Sequence, residues 1–348
     1  MISANFNIHG ILKIKFKWKK YRAMLRDLDL KLNYFFVDDL NDPDIIVEIG
    51  PFKPNLSGCR VYERRFFVKE NFVYGTGRSW WTKWAIQIDG IDKDRLFVNV
   101  DGKLRSVRGL LAPNMLANLL VLPLLELKFF DKGYLLLHSA GISKDGRGYL
   151  IVGRGGSTKT SIVMDLLRNH GCEYVGDDRV LVGPGSVLSF PTHIQTFEFL
   201  LNNAENEFMN LYTKLGLITH LLKDRQVKLR IAERSSLAGV LFIIPSTKPY
   251  NIKRMNAEDA AKKMVTNMLM EYFEMSKIVG LDICPTFECL IAYSAAYPNS
   301  SAAKFQDNLL VQLESLLSGL PIYEMSIPLK YREDVAHTIN AFIEREIG

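Results

Sequence analysis

The segment Gly153-Arg154-Gly155-Gly156-Ser157-Thr158-Lys159-Thr160 decides how this sequence is interpreted. It follows the P-loop pattern G-x-x-x-x-G-K-[ST] except at the sixth position, where Thr158 replaces glycine. An apolar run, residues 148–152, precedes the segment, and a helix-forming run, residues 159–169, follows it. This strand–loop–helix order predicts a phosphate-binding loop.

Each residue type in the segment has a chemical reason. Glycines let successive backbone N–H groups turn inward around phosphate oxygens, and the unpaired N–H groups of the following helix favour the same anion. Lys159 can reach the β- and γ-phosphates, and the Thr160 hydroxyl can ligate Mg²⁺. Thr158 is a β-branched residue and would be strained if its position needs a positive φ, unless Gly155 and Gly156 shift the turn.

Three further polar residues surround the loop in sequence. His138 follows an apolar strand 21 residues before Lys159, and Asp177 and Asp178 lie in the next apolar segment. Strand ends in an open α/β sheet gather around one crevice at its switch point. We therefore expect His138, Lys159, Thr160 and the two aspartates to converge.

These residues carry a family resemblance. The stretch Leu135–Val182, LLLHSAGISKDGRGYLIVGRGGSTKTSIVMDLLRNHGCEYVGDDRVLV, resembles the HPr kinase/phosphorylase family and its P-loop relatives in the phosphoenolpyruvate carboxykinase-like fold. The shared pattern is a strand ending in His, an Asp-Gly turn, an apolar strand, the P-loop, a helix, and then Asp-Asp. The resemblance implies an α/β (α+β) fold with an HPr kinase/PEP carboxykinase-like P-loop core.

The resemblance also implies roles for residues. Residues 153–160 would cradle the phosphates of ATP, namely Gly153, Arg154, Gly155, Gly156, Ser157, Thr158, Lys159 and Thr160. Asp177 would be the general base, and His138 would contact the transferred phosphate or its acceptor. Thr160 and Asp178 would hold Mg²⁺, although the order of the two aspartates stays open.

The leading hypothesis is an enzyme, an ATP-dependent kinase that phosphorylates a hydroxyl of a small molecule, peptide or carrier protein. Thr158, together with Ser161 where HPr kinases usually carry Glu, leaves a second hypothesis open: a non-catalytic ATP-binding regulatory or interaction module. A third is a carboxykinase-like metabolic enzyme, which would need a carboxylate-binding set of arginines that the sequence does not reveal. The acceptor itself is not predicted.

The segments around the core divide the chain into two predicted domains, a β-rich domain of residues 1–105 and a nucleotide-binding domain of residues 106–348. Candidate strands in the first are 11–18, 33–37, 45–49, 60–68, 84–89 and 95–100. In residues 12–19 apolar residues and lysines alternate, which is typical of a strand. The lysine row is either a solvated face or a patch for an anionic partner.

Later segments have helical or strand periodicity. Residues 237–244 are predicted as a buried strand, and the predicted helices are 256–278, 302–318 and 332–346. The apolar segment 113–129 is interpreted as a buried core helix, because it carries two prolines and two charges where a membrane span needs about 20 predominantly apolar residues.

The composition of the chain argues against several classes of protein. The 348 residues are 48% hydrophobic and 24% charged, as in ordinary globular proteins. The net charge is +6, and residues 1–30 hold seven Lys/Arg against two Asp, so a whole-surface nucleic-acid binder is not expected. Four cysteines without zinc spacing, and an N-terminus without a signal peptide, predict reduced thiols and a cytoplasmic protein. The oligomeric state is open, with a homo-oligomer as one option.

Overall fold

The computed structural model describes residues 2–18, 32–78, 82–104, 113–155, 157–192, 197, 229–278, 281, 283–332 and 334–347. Within these residues the chain is mixed α/β, with two large mixed sheets, so the predicted fold class is confirmed at that coarse level. The helices are α1 (Pro113–Asp131), α2 (Lys159–Asn169), α3 (Ala257–Ile278), α4 (Pro285–Ala296), α5 (Ser301–Leu317) and α6 (Asp334–Phe342), which continues as a π-helical turn, Ile343–Ile347. None of the described helices is long and apolar enough to cross a membrane.

The chain divides into two compact units. The first comprises Met1–Leu135 and Met268–Gln312, and the second comprises Leu136–Asn267 and Leu313–Gly348. The first sheet ends at Leu104, next to the boundary predicted at residue 105, but its unit also takes in later parts of the chain. A separate domain of residues 1–105 therefore stays a prediction.

The first unit contains one sheet in the order β3-β1-β2-β4-β9-β8-β7-β6-β5. Its strands are β1 (Ile2–Ile8), β2 (Leu12–Trp18), β3 (Phe36–Val37), β4 (Ile45–Ile49), β5 (Arg60–Tyr62), β6 (Phe66–Lys69), β7 (Phe72–Arg78), β8 (Thr82–Asp89) and β9 (Leu96–Leu104). Leu12, Ile14 and Phe16 of β2 are fully buried, while the lysines between them are partly exposed. The predicted alternation is confirmed for 12–17; Lys19 lies outside the described residues.

Two strand predictions in this unit were wrong. Residues 60–68 form a hairpin rather than one strand, because Glu63 and Arg64 have positive φ values of 49° and 57° and turn the chain. Residues 33–35 are a 3₁₀ turn, and only Phe36–Val37 pairs with β1.

Helices α1 and α4 pack on one another and on the first sheet. The Thr286 hydroxyl of α4 donates to the Leu120 carbonyl of α1 at 2.9 Å. A Cβ on Gly75 of β7 would lie 2.4 Å from Cys289 Sγ, so glycine is what lets α4 approach this strand. The predicted core helix 113–129 is confirmed as α1, which is fully or nearly fully buried at Leu119 and Leu120.

The second sheet has the order β10-β14-β15-β16-β12-β11-β13, and β18 pairs with both β16 and β17. Its strands are β10 (Leu135–Leu137), β11 (Ala140–Lys144), β12 (Arg147–Val152), β13 (Glu173–Gly176), β14 (Val180–Gly183), β15 (Ser186–Leu188), β16 (Arg234–Ser246), β17 (Ile252–Arg254) and β18 (Ile322–Pro328). Strand β12 runs parallel to β16 and antiparallel to β11. Helix α2 packs on β11, β13 and α6 through the buried residues Ile162, Val163 and Leu166.

Candidate functional site

The loop between β12 and α2 has no room for a side chain at its first residue. A Cβ on Gly153 would lie 2.4 Å from Ser157 Oγ and 3.0 Å from the Ile243 carbonyl oxygen. The Ser157 N–H donates to the Arg154 carbonyl oxygen at 3.0 Å and closes a turn. Glycine is therefore required at position 153. Gly156, which was predicted to be part of the phosphate cradle, lies outside the described residues.

Thr158, the residue that departs from the P-loop pattern, has left-handed backbone angles of φ 61° and ψ 20°. A non-glycine residue in this region carries strain of about 1 kcal/mol or more, and a β-branched residue is among the least suited. Its hydroxyl donates to the Ser157 carbonyl oxygen at 2.6 Å and makes no cap for α2. The first N–H groups of α2 are thus not satisfied by a side-chain cap, which suits an anion at this end of the helix.

Lys159 and Ser157 place polar groups inside the loop. The Lys159 ammonium donates to the carbonyl oxygens of Gly153 at 2.6 Å and Arg154 at 3.3 Å, and the residue is only 8% exposed. Ser157 is 3% exposed, and its buried hydroxyl has no hydrogen-bond partner among the residues that the structure describes. A buried polar group without a partner is costly and calls for an explanation, such as a ligand that supplies the missing bond.

Strand β11 brings three chain segments to one edge of the second sheet. It pairs antiparallel with β12 on one side and with β13 on the other, so Gly141 lies opposite both Leu150 and Gly176. Strands β12 and β13 therefore run in the same direction and end at the same edge, where β11 begins. The loop after β12, Asp177 after β13, and His138 just before β11 consequently lie at this edge.

The Asp177 carboxylate contacts the start of α2. Thr160 Oγ1 donates to Asp177 Oδ2 at 3.2 Å, while the buried Asp177 Oδ1 has no hydrogen-bond partner within the described part of the chain. Burial raises the pKa of Asp177 from 3.8 to about 6; the nearby Asp178 charge raises it too, whereas the Thr160 hydrogen bond and the Lys159 charge lower it, as a protonated His138 would. The electrostatic influence of Lys159 and His138 indicates that these groups lie around one carboxylate.

His138 is held by a residue that the sequence analysis missed. Arg179 Nη1 lies 2.6 Å from His138 Nδ1, and it also donates to the Asp178 carbonyl oxygen at 3.1 Å. Because a guanidinium can only donate, His138 Nδ1 must accept, which puts the ring proton of the neutral imidazole on Nε2. Asp178 Oδ1 is 3.4 Å from the same Nδ1. Arg179 is 2% exposed, and its signal in the sequence was a cation directly after Asp-Asp in an otherwise apolar run.

The groups that could hold Mg²⁺ are hydroxyl and carboxylate oxygens, which are the ligands that this ion prefers. Thr160, the predicted hydroxyl ligand, contacts Asp177 rather than the predicted partner Asp178, whose carboxylate lies beside His138. The unpartnered Asp177 Oδ1 suits a cation or a hydroxyl donor equally well by its chemistry. The roles of base and metal ligand therefore stay predictions for both aspartates.

Comparison with known proteins adds a distant structural relationship at most. No protein-family model matches the chain, and no curated protein matches it. Among solved structures, the chain is similar to that of the Hpr(Ser) kinase/phosphatase from Coxiella burnetii, with a TM-score of 0.24 and 10% identity, over 60% of this chain and 88% of that chain. A similarity at this level establishes neither that the two proteins share a core fold nor what activity this chain has.

Proposed function

We propose that the protein is an ATP-dependent kinase that transfers a phosphoryl group to a hydroxyl of an acceptor, in the manner of an HPr serine kinase. The observation that carries the proposal is the Asp177 carboxylate. One of its oxygens accepts a hydrogen bond from Thr160 at the start of α2, and the other is buried, with no partner among the described residues, at the edge where the loop 153–158 lies. A carboxylate so placed, with a pKa of about 6, is ionised at neutral pH and more basic than an ordinary aspartate, as a general base requires.

The loop binds the phosphates of the nucleotide. Backbone N–H groups and the helix terminus receive the phosphate oxygens, and the Ser157 hydroxyl donates its unused hydrogen bond to one of them. On binding, the Lys159 ammonium exchanges the carbonyl oxygens of Gly153 and Arg154 for the β- and γ-phosphates. The buried position of Lys159 keeps this charge in a region of low dielectric, where it acts strongly.

The transfer step is a displacement at the γ-phosphorus. The acceptor oxygen forms a bond to the γ-phosphorus, the bond to the β,γ-bridging oxygen breaks, and ADP leaves. The proton of the acceptor hydroxyl passes to Asp177 Oδ1. His138, fixed by Arg179 with its proton on Nε2, donates from Nε2 to the transferred phosphoryl group or to the acceptor.

Thr160 and Asp178 would hold Mg²⁺, which would neutralise charge on the β- and γ-phosphates. The Thr160–Asp177 contact makes the exchange of roles between the aspartates a specific alternative, in which Asp177 supplies the metal ligand. The two assignments differ in one measurable respect. Removing the base lowers turnover at every Mg²⁺ concentration, whereas removing a metal ligand raises the Mg²⁺ concentration that is needed.

The test is calorimetric binding of ATP with and without Mg²⁺, together with phosphate release from ATP, in which water replaces the acceptor hydroxyl. Lys159→Ala is expected to weaken ATP binding at least 10-fold, and its matched control is Lys83→Ala, an exposed lysine of β8. Asp177→Asn is expected to lower phosphate release at least 100-fold while ATP affinity changes less than threefold. Its control is Asp307→Asn on the exposed side of α5.

The outcomes separate the hypotheses. Absence of ATP binding by the wild-type chain contradicts the proposal. Binding that is lost in Lys159→Ala, without phosphate release or transfer to any offered hydroxyl, supports the alternative of a non-catalytic ATP-binding module. Full phosphate release by Asp177→Asn rules out Asp177 as the base.

A further inference from the structure

A cleft opens from the loop 153–158 within the second unit. Its volume is about 460 Å³, within the range of small-molecule sites. At one end it is lined by Gly153, Arg154, Gly155 and Ser157. The remaining lining comes from Val152 at the end of β12, from the end of β16 and from α3. A ligand whose phosphates lie in the loop therefore has space to continue into this cleft.

The part of the cleft formed by β16 is apolar. It consists of Phe242, Ile243, Ile244 and Pro245. Phe242 and Ile243 are buried, but Ile244 is 38% exposed although it continues a buried run of the strand. An exposed branched side chain next to a proline offers a flat apolar surface to a ring.

The part formed by α3 is polar but carries little uncompensated charge. Lys262 is paired with Glu258, and Lys263 is paired with Glu324. The ammonium of Lys263 also lies 5.9 Å from the centroid of the Phe242 ring. Since both cations already have carboxylate partners, this wall suits an uncharged ring better than a second anionic group.

Asn267 of α3 provides the specific contact. It lines the cleft, is partly buried, and its amide makes no hydrogen bond to any residue of the chain that the structure describes. A carboxamide offers one donor and one acceptor side by side, which matches N7 and the N6 amino group of adenine. Guanine presents two acceptors at the same edge and pairs with only half of the amide.

We propose that this cleft is the base-binding part of the nucleotide site and that Asn267 selects adenine there. The inference rests on the proposed function, since it concerns the same nucleotide. The base packs on Ile244 and Pro245, its N7/N6 edge pairs with the Asn267 amide, and the phosphates extend to the loop. Inorganic tripolyphosphate has the phosphates without the base and therefore probes the loop alone.

The experiment measures calorimetric affinities of ATP, GTP and inorganic tripolyphosphate, each with Mg²⁺, for wild type and Asn267→Ala. A control variant, Asn308→Ala, makes the same change at an exposed position of α5. Wild type is expected to bind ATP more tightly than both other ligands. Asn267→Ala is expected to weaken ATP about 10-fold, the loss expected for one bidentate amide–base pair, and to leave tripolyphosphate unchanged. Asn308→Ala leaves all three affinities as in wild type.

Four outcomes overturn the inference. Equal affinity of wild type for ATP and tripolyphosphate means that the cleft takes no base, while the loop still binds phosphates. If wild type prefers GTP, or if Asn267→Ala keeps the ATP preference of wild type, Asn267 does not select adenine. Phosphate binding by the loop is not contradicted by either result. Failure of all three ligands to bind overturns the proposed function itself, and the inference with it.

Discussion

Substitution of Asp177 by asparagine is expected to stabilise the metal-free protein, and only at higher pH. The pKa of this carboxyl is raised in the folded state from 3.8 to about 6, chiefly by burial. The folded chain therefore holds the proton more tightly than the unfolded chain, and stability falls as the pH rises from about 4 through about 6. A raise of roughly two units corresponds to at most about 3 kcal/mol lost at pH 7 and above. Asparagine has a similar shape, can still accept from Thr160, and has no charge to bury.

The assay is urea unfolding in EDTA at pH 4, 5, 6, 7 and 8, for wild type, Asp177→Asn and the exposed control Asp307→Asn. All four tryptophans lie between residues 18 and 84, in the first unit, so their fluorescence follows that unit while circular dichroism follows both. The difference in free energy of unfolding between Asp177→Asn and wild type should grow between pH 4 and 7 and then level off. A difference that is constant across this range would refute the conclusion that burial raises the pKa of the Asp177 carboxyl.

Three other changes test the loop and the sheet by unfolding free energy. Thr158→Gly removes the left-handed strain and should raise stability by about 1 kcal/mol; a loss would show that the threonine side chain contributes more than its backbone costs. Ser157→Ala removes a buried hydroxyl without a partner, so the ligand-free protein should gain about 1 kcal/mol, and a loss would reveal a hydrogen bond there. Gly148→Ala places a Cβ 2.0 Å from Val187 Cγ1 and should cost about 1–3 kcal/mol, whereas a neutral result would show that β15 can move aside.

Local sequence signals predicted some elements well because those elements carry their own start signals. The helix predicted at 159–169 is α2, with the same bounds, since the glycine-rich loop ends where the apolar periodicity begins. The helix predicted from residue 256 is α3, and Asn256 Oδ1 accepts from the Asp259 N–H at 2.8 Å as an N-cap should.

Other elements depend on contacts that a sequence does not display. Strand β7 was missed because Gly75 and Gly77 weaken a strand pattern, yet both glycines are required: a Cβ on Gly77 would lie 2.5 Å from the Trp84 ring nitrogen. Helix α4 was missed because its apolar residues are spread around the helix rather than confined to one face.

The sequence predicted that the site residues converge because strand ends in an open α/β sheet meet at a switch point, but a different arrangement of strands brings the loop and Asp177 together. The loop and Asp177 share an edge because an antiparallel strand, β11, lies between β12 and β13. The contact between Arg179 and His138 joins residues 41 positions apart and gave no periodic signal. The catalytic and metal-binding roles themselves remain predictions.

The central place of β11 has a consequence for how the sequence can change over evolution. The separation between the phosphate loop and the aspartate is fixed by main-chain hydrogen bonds to one shared strand, and it does not depend on the length of any side chain. Most side chains of these three strands can then be exchanged without altering that separation. The exceptions are three glycines: a Cβ would lie 3.0 Å from the nearest side-chain atom at Gly141, 2.0 Å from one at Gly148, and 2.2 Å from a backbone carbonyl oxygen at Gly176. Divergent sequences that keep glycine at these three positions can keep the same spacing.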